Sequence, residues 1–421
     1  MIIKTFGISQ IMYLCSVMNI PGWAKKEINN IVFEFLWNGK QNKVKANVVI
    51  QDIDHGGYKM CDINVMSKVQ QLKWVKRYFD NSQASWKSTF ESLMKNIDIR
   101  CFLMSSFHKK EIPITSDFYK EMLETLLEYR SIPDSSFDIS HEIIWYNRYI
   151  TSRGHTIYCK RLKELGIMRI HHLFDMDGNL LTFDKLPNYI KNQTNFLTWN
   201  GLIKAIPKLW IEKLKVKCDR SPDVSIVPLR VNLSENDVVV LNFKLLYAAL
   251  VKLKCDKSQA VQNYSDYYGI DDNMWKQLYI LPHKLQVDNR MKEFQYKITH
   301  GYLATNLLLY KMKIIDSPRC NFCNLYRQSI SHMLFSCLPV RSIWYQLEKK
   351  ILNVTNRVIS INEKDVLFGI AFGEDKEFYQ MINSVLSYTK YYVYKCKLNN
   401  EDIVYTQLLA YIVTRGKLNG W

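Results

Sequence analysis

The segment Cys320-Asn321-Phe322-Cys323, followed by His332 and Cys337, constrains this chain more than any other feature of its sequence; the spacing is C-x2-C-x8-H-x4-C. Two cysteines three apart can wrap a tight turn around one ion. A histidine and a cysteine beyond a short loop then complete a tetrahedron of thiolates and imidazole, a donor set that suits Zn2+. Binding deprotonates the thiols and supplies folding energy to a knuckle, about residues 318–345, too small to hold itself together. The other seven cysteines, Cys15, Cys61, Cys101, Cys159, Cys218, Cys255 and Cys396, stand singly. Nothing suggests secretion, and they read as reduced, buried small hydrophobes. Structural and RNA-binding knuckles share these ligands, so the spacing leaves both uses open.

Charge favours a polyanionic partner. The 421 residues hold 57 Lys and Arg against 40 Asp and Glu, a net charge of +17, as expected for a chain that meets nucleic acid or an anionic membrane face. No apolar run approaches the ~20 residues of a membrane span, and the apolar-rich N-terminus carries Lys4 and Gln10 with no small-residue cleavage site after it. The membrane reading falls. With no targeting or spanning segment found, a cytoplasmic and nuclear location is expected. Residues 284–350 carry 11 Lys and Arg against 4 acids, interleaved with Tyr296, Tyr302, Tyr310, Phe322 and Tyr326. Basic side chains neutralise phosphates and exposed rings stack on unpaired bases. Lys297, Lys311, Lys313, Arg319 and Arg327 are therefore candidate nucleic-acid contacts. Residues 1–77 carry a second excess, 11 to 5, and Lys73, Lys76 and Arg77 are candidates there. The aromatic–basic stretch 388–395 has the same look, but Leu386, Val393 and Cys396 fall on one helical face and read equally well as core.

Periodicity predicts a mainly α, multi-domain chain. Pro21 starts a helix that Asn38-Gly39 stops, with Ile28, Ile31, Val32, Phe35 and Leu36 at helical spacing. Residues 44–50 read as a short strand, Asp54-His55-Gly56-Gly57 as a turn, and 65–79 as a helix. Short helices are expected at 158–165 and 184–190, around the turn Asp175-Met176-Asp177-Gly178. Residues 221–234, with Pro222 and Pro228, form the best linker, and helical periodicity resumes at 242–254. The expected regions are 1–80, 81–220 and 235–421, the last containing the knuckle.

Two-metal polymerases need carboxylates from separate segments, one of them an adjacent Asp pair at a hairpin tip. The one such pair, Asp271-Asp272, stands before a tryptophan-started helix and lacks flanking strand signals. It reads as a loop or a helix N-terminus, where acids are favoured. No phosphate-cradling GxxxxGK[ST] loop and no HExxH occurs. No catalytic residue is assigned.

Several segments, in order, resemble LINE-type non-LTR retrotransposon reverse transcriptases. They are Ile3-Lys4-Thr5-Phe6 through Tyr13, Phe33-Glu34-Phe35-Leu36-Trp37-Asn38-Gly39, Gly56-Gly57-Tyr58-Lys59 and Leu72-Lys73-Trp74-Val75-Lys76-Arg77. Trp145-Tyr146-Asn147, Ala205-Ile206-Pro207, Phe294-Gln295-Tyr296-Lys297-Ile298 through Asn306, and the knuckle with Trp344 continue the series. The resemblance covers essentially the whole chain, from the thumb to the C-terminal zinc-binding region. It implies a parent enzyme that copies RNA into DNA from a nicked target primer, with a thumb that grips the template–primer duplex and a C-terminal region that helps hold RNA. The chain departs from the family at Gln328-Ser329, where Glu-Thr is frequent. Nothing matches the fingers, the palm or an endonuclease, so a truncated copy of an element or a partial gene is expected.

The function expected is thus Zn2+-stabilised binding of RNA or an RNA/DNA template–primer, without a polymerase site of its own. The missing catalytic part of the same element is a further expected partner. The rival readings are a zinc-stapled interaction protein derived from a retroelement, and one part of an RNA-directed DNA polymerase whose catalytic half is encoded upstream.

Overall fold

A computed structural model describes residues 3–39, 42–80, 83–130, 138–175, 178–217, 243–285, 288–371, 373 and 375–416. The expected linker at 221–234 lies outside them, as do Met176 and Asp177. Helices dominate, as the periodicity requires. The paired strands named among the described residues are a single hairpin, Thr151–Ser152 with His155–Thr156. Its turn residues Arg153 and Gly154 have φ of 52° and 81°, the positive sign at both positions that a type I′ hairpin loop demands.

Several local expectations hold. A helix spans Gly22–Leu36 and Asn38 and Gly39 leave it with positive φ. Of its apolar residues, Val32 and Phe33 are buried while Ile31 and Phe35 face solvent. A second helix runs Ile63–Phe79, its first turn held by the Asp62 carboxylate, which accepts from the amides of Asn64 and Val65. Residues 44–50 correct the reading: Ala46–Val49 is one helical turn, closed by Val49 N–H to the Lys45 carbonyl at 3.2 Å and Ile50 N–H to Ala46 at 3.1 Å. Val48, Val49 and Ile50 are all buried, and burial outweighs the weak strand preference of β-branched residues.

The described residues of 1–32 and 61–253 form one compact unit, and those of 33–60 and 254–421 another. In the first, Ile63–Phe79 packs against Ser9–Val17, Asp117–Arg130 and Phe243–Lys252. Its buried face carries Val65, Val69, Leu72 and Val75. The buried Lys25 ammonium reaches Glu121 at 2.7 Å, and Gln71 donates to the other carboxylate oxygen at 3.1 Å. A cation so placed needs its partner. A further core in this unit surrounds Trp145 and Trp199. Both indoles are satisfied, donating to the carbonyls of Ile167 and Leu181.

The second unit has a core into which the helices Asp272–Lys284, Asn289–Thr299, Leu338–Thr355, Lys376–Asn399 and Tyr405–Gly416 turn their apolar faces. Residues 388–395 lie on the Lys376–Asn399 helix with Tyr388, Val393 and Cys396 buried. That segment is core. Lys390 is buried with it, donating to Gln295 Oε1 at 2.6 Å and to the carbonyls of Val366 and Leu367 at 2.9 and 3.3 Å.

The Gly56-Gly57 turn, expected from sequence, packs on Asp272–Lys284. A Cβ at Gly57 would meet the Gln51 carbonyl oxygen at 2.1 Å, so only glycine fits. His300 ties this turn down. Its Nε2 lies 3.0 Å from the Gly56 carbonyl and its Nδ1 2.9 Å from the Ser258 hydroxyl. Since a carbonyl can only accept, Nε2 carries the proton and Nδ1 takes one from Ser258.

Candidate metal centre

The four residues picked out by spacing converge. One donor atom each from Cys320, Cys323, His332 and Cys337 lies within 4.8 Å of every other. Cys320 Sγ is 3.7 Å from Cys337 Sγ, and Cys323 Sγ is 3.4 Å from His332 Nε2. A regular tetrahedron with Zn–S bonds of about 2.3 Å has sulfur–sulfur edges of about 3.8 Å, and a shorter sulfur–nitrogen edge of about 3.5 Å. The residues therefore fit Zn2+ in both chemistry and separation.

Local backbone explains the convergence. Cys320 and Cys323 sit in a turn closed by Asn324 N–H to the Cys320 carbonyl at 2.8 Å, with Asn324 itself at φ 54°. Two arms flank it, joined by Cys320 N–H to the Tyr326 carbonyl and Gln328 N–H to the Pro318 carbonyl, both 2.8 Å. Ser329 Oγ accepts from the His332 amide at 3.0 Å and opens the π-helical turn His332–Ser336. Cys337 ends that turn and starts the Leu338–Thr355 helix. Trp344 fixes the return by donating its indole N–H to the Leu334 carbonyl at 2.8 Å. Cys320 and Cys337 belong to the core of their unit together with Met333 and Leu334.

The sulfurs are electrostatically prepared. The Cys320 thiol is held below its ordinary value, first by the hydrogen bond from Cys337, and also by the amides of Cys323 and Phe322 and the Gln328 side chain, against burial. Cys337 is pushed up by the same shared proton and by burial. Amide and side-chain donors aimed at Cys320 Sγ favour the thiolate form that a zinc ligand requires. Gln328 is the residue whose role the sequence reading did not assign. It is buried, its amide nitrogen lies 3.5 Å from Cys320 Sγ, and its Oε1 accepts from the Asn306 amide at 3.1 Å. An ionised glutamate there could only accept. The departure at this position was the one available signal.

The candidate nucleic-acid residues fall into two groups. Lys311, Lys313, Arg319 and Arg327 are all exposed, as are Tyr310 and Tyr326, the latter at 63%. None of the four cations has an acidic partner among the described residues. The Tyr326 ring stands 5.7 Å from that of His332. Lys297, by contrast, pairs with Glu293 at 2.6 Å. In the other unit Lys73 and Lys76 lie 5.4 and 5.9 Å from the Phe243 ring centroid, and Arg77 lies 4.9 Å from that of Trp74. Burial, then the nearby Arg77, lowers the Lys73 pKa. Not every aromatic points outward. Tyr296 stacks on Tyr58 with centroids 4.1 Å apart, and Tyr302 meets Trp37 edge-on at 6.0 Å. Phe322 packs against the core.

Asp271 and Asp272 sit at a helix N-terminus. Asp271 accepts from the Met274 amide at 2.7 Å, and Asp272 pairs with Lys257. Among the described residues no helix is long and apolar enough to cross a membrane. No curated protein matches the chain. Residues 265–344 match the family described as zinc-binding in reverse transcriptase, so the Cys3His centre and the helices leading to it form a zinc-binding region related to that of reverse transcriptases.

Proposed function

We propose that the chain is the C-terminal part of a LINE-type retrotransposon reverse transcriptase, that it holds RNA or an RNA/DNA template–primer, and that it carries no polymerase site itself. One observation carries the reading: Tyr310, Lys311, Lys313, Arg319, Tyr326 and Arg327 are exposed on the zinc-binding segment, the cations without acidic partners among the described residues. Cations of this kind release condensed counterions when they meet phosphates, and the rings offer unpaired bases a stacking surface. The catalytic part of the same element is the protein partner this reading requires. The test is fluorescence anisotropy with a single-stranded RNA and with an RNA/DNA hybrid. Affinity should fall steeply with salt and drop when Lys311 and Lys313 are changed to Gln, with zinc content unchanged. Salt-insensitive or absent binding would sink the proposal. Primer extension by the purified chain, lost on Asp271→Ala with Asp272→Ala, would refute its catalytic half.

A purely structural knuckle is the second reading, favoured by the membership of Cys320 and Cys337 in the hydrophobic core. It predicts that zinc removal unfolds the second unit while the charge-neutralised variants behave as wild type toward RNA.

A further inference from the structure

Arg319 and Arg327 stand directly opposite each other on the two arms that flank the Cys320–Cys323 turn. The inter-arm hydrogen bonds, Gln328 N–H to Pro318 and Cys320 N–H to Tyr326, bracket this pair rather than join it. The two arginines are therefore a non-hydrogen-bonded antiparallel pair, the kind with the closest backbones, about 4.5 Å between Cα atoms, and the closest side chains. Opposed residues leave such a ribbon on the same face. Cys320 and Gln328, one position along on each arm, go the other way and are buried. Both arginines are exposed, and neither has an acidic partner among the described residues.

Like charges directly opposite on a ribbon repel, and these cannot slide apart. Register is set on one arm by Cys320, and from outside by Asn306, whose Nδ2 donates to the Arg319 carbonyl at 2.7 Å. On the other arm the Leu307 amide donates to the Gln328 carbonyl at 3.2 Å. Two arginine side chains thus leave the ribbon from opposed positions on one face, with no acidic partner among the described residues, and two planar forks rooted so close can reach one tetrahedral oxyanion with acceptors on several edges. We propose that Arg319 and Arg327 act together as a clamp on a single phosphodiester group of an RNA strand. The proposal rests on the RNA-binding reading above and adds which contact is shared.

The experiment measures single-stranded RNA binding by the full chain across a salt series, for wild type, Arg319→Gln, Arg327→Gln, the double variant, and Lys311→Gln with Lys313→Gln. Zinc content and thermal melting serve as folding controls. Each phosphate contact contributes about 0.7 to the slope of log affinity against log salt. A clamp on one phosphate predicts that either single change removes most of what the double removes, and that the double flattens the slope by about 0.7. Additive losses with a flattening of about 1.4 would mean two independent contacts and overturn the clamp, leaving RNA binding intact. So would arginine variants that bind like wild type while the lysine variant does not. Wild type that fails to bind RNA would sink both readings. Arg327→Glu supplies a second measure, replacing a repulsive cross-arm pair by an attractive one. Its melting temperature should rise while its RNA affinity drops below that of Arg327→Gln, and a lower melting temperature would contradict the repulsion on which the clamp depends.

Discussion

Cys320 Sγ and Cys337 Sγ lie 3.7 Å apart although 17 positions separate them in the chain. A disulfide needs about 2.05 Å, whereas two thiolates on one zinc need about 3.8 Å. The spacing belongs to a metal-bridged pair, with Cys323 and His332 supplying the remaining corners.

The first prediction is one tightly held zinc per chain, with a coordination shell of three sulfurs and one nitrogen by X-ray absorption. Cys320→Ser should lose it and loosen the second unit's core, because the ligand is itself a core residue. Stoichiometric zinc retained by that variant would place the metal elsewhere.

Gln328 supports the first ligand from outside. Gln328→Leu removes both the N–H directed at Cys320 Sγ and the acceptor for the Asn306 amide. Loss of such a supporting partner costs about 10–100-fold in metal affinity. Competition with a chromogenic chelator measures it, and an unchanged affinity would reduce Gln328 to a packing residue.

His300 makes the second unit acid-sensitive. Burial holds its pKa down to about 4, against the upward pull of the Gly56 carbonyl. Between the ordinary value of 6.5 and about 4, the unfolded chain binds a proton that the folded chain refuses. Stability therefore falls as pH drops through that window. Urea melts at pH ~7 and pH ~4.5 should show a larger loss for wild type than for His300→Gln. Zinc-ligand protonation is common to both proteins and cancels in the comparison. Equal losses would show that His300 is protonated in the folded state.

Lys390 acts in the same direction at higher pH. Burial lowers its pKa from 10.5 to about 7. From about pH 7 upward the unfolded chain holds a proton that the folded chain has released, so this group's contribution to stability rises with pH until about 10.5. Lys390→Met should lack that rise in denaturant melts between pH ~7 and pH ~9. A parallel pH dependence in the two proteins would place the folded pKa near its ordinary value.

Much of this chain is determined locally and could be read from its residues. The four ligands fall within eighteen positions, and Cys-x2-Cys has few ways to approach one ion. The helix after Asp62, the stop at Asn38-Gly39 and the Gly56-Gly57 turn each follow from backbone preferences of a few adjacent residues. Only the tertiary structure decided the rest. It gathered residues 33–60 with 254–421, wound Ala46–Val49 into a helical turn despite its valines, and turned Tyr296 and Tyr302 onto Tyr58 and Trp37 while leaving Tyr310 and Tyr326 outside. It also set Gln328 against Cys320 and Arg319 opposite Arg327. The outcomes that had to wait for the fold are those where burial and pairing between distant residues outweigh small local propensities, and nothing in the neighbouring sequence encodes which distant partner arrives.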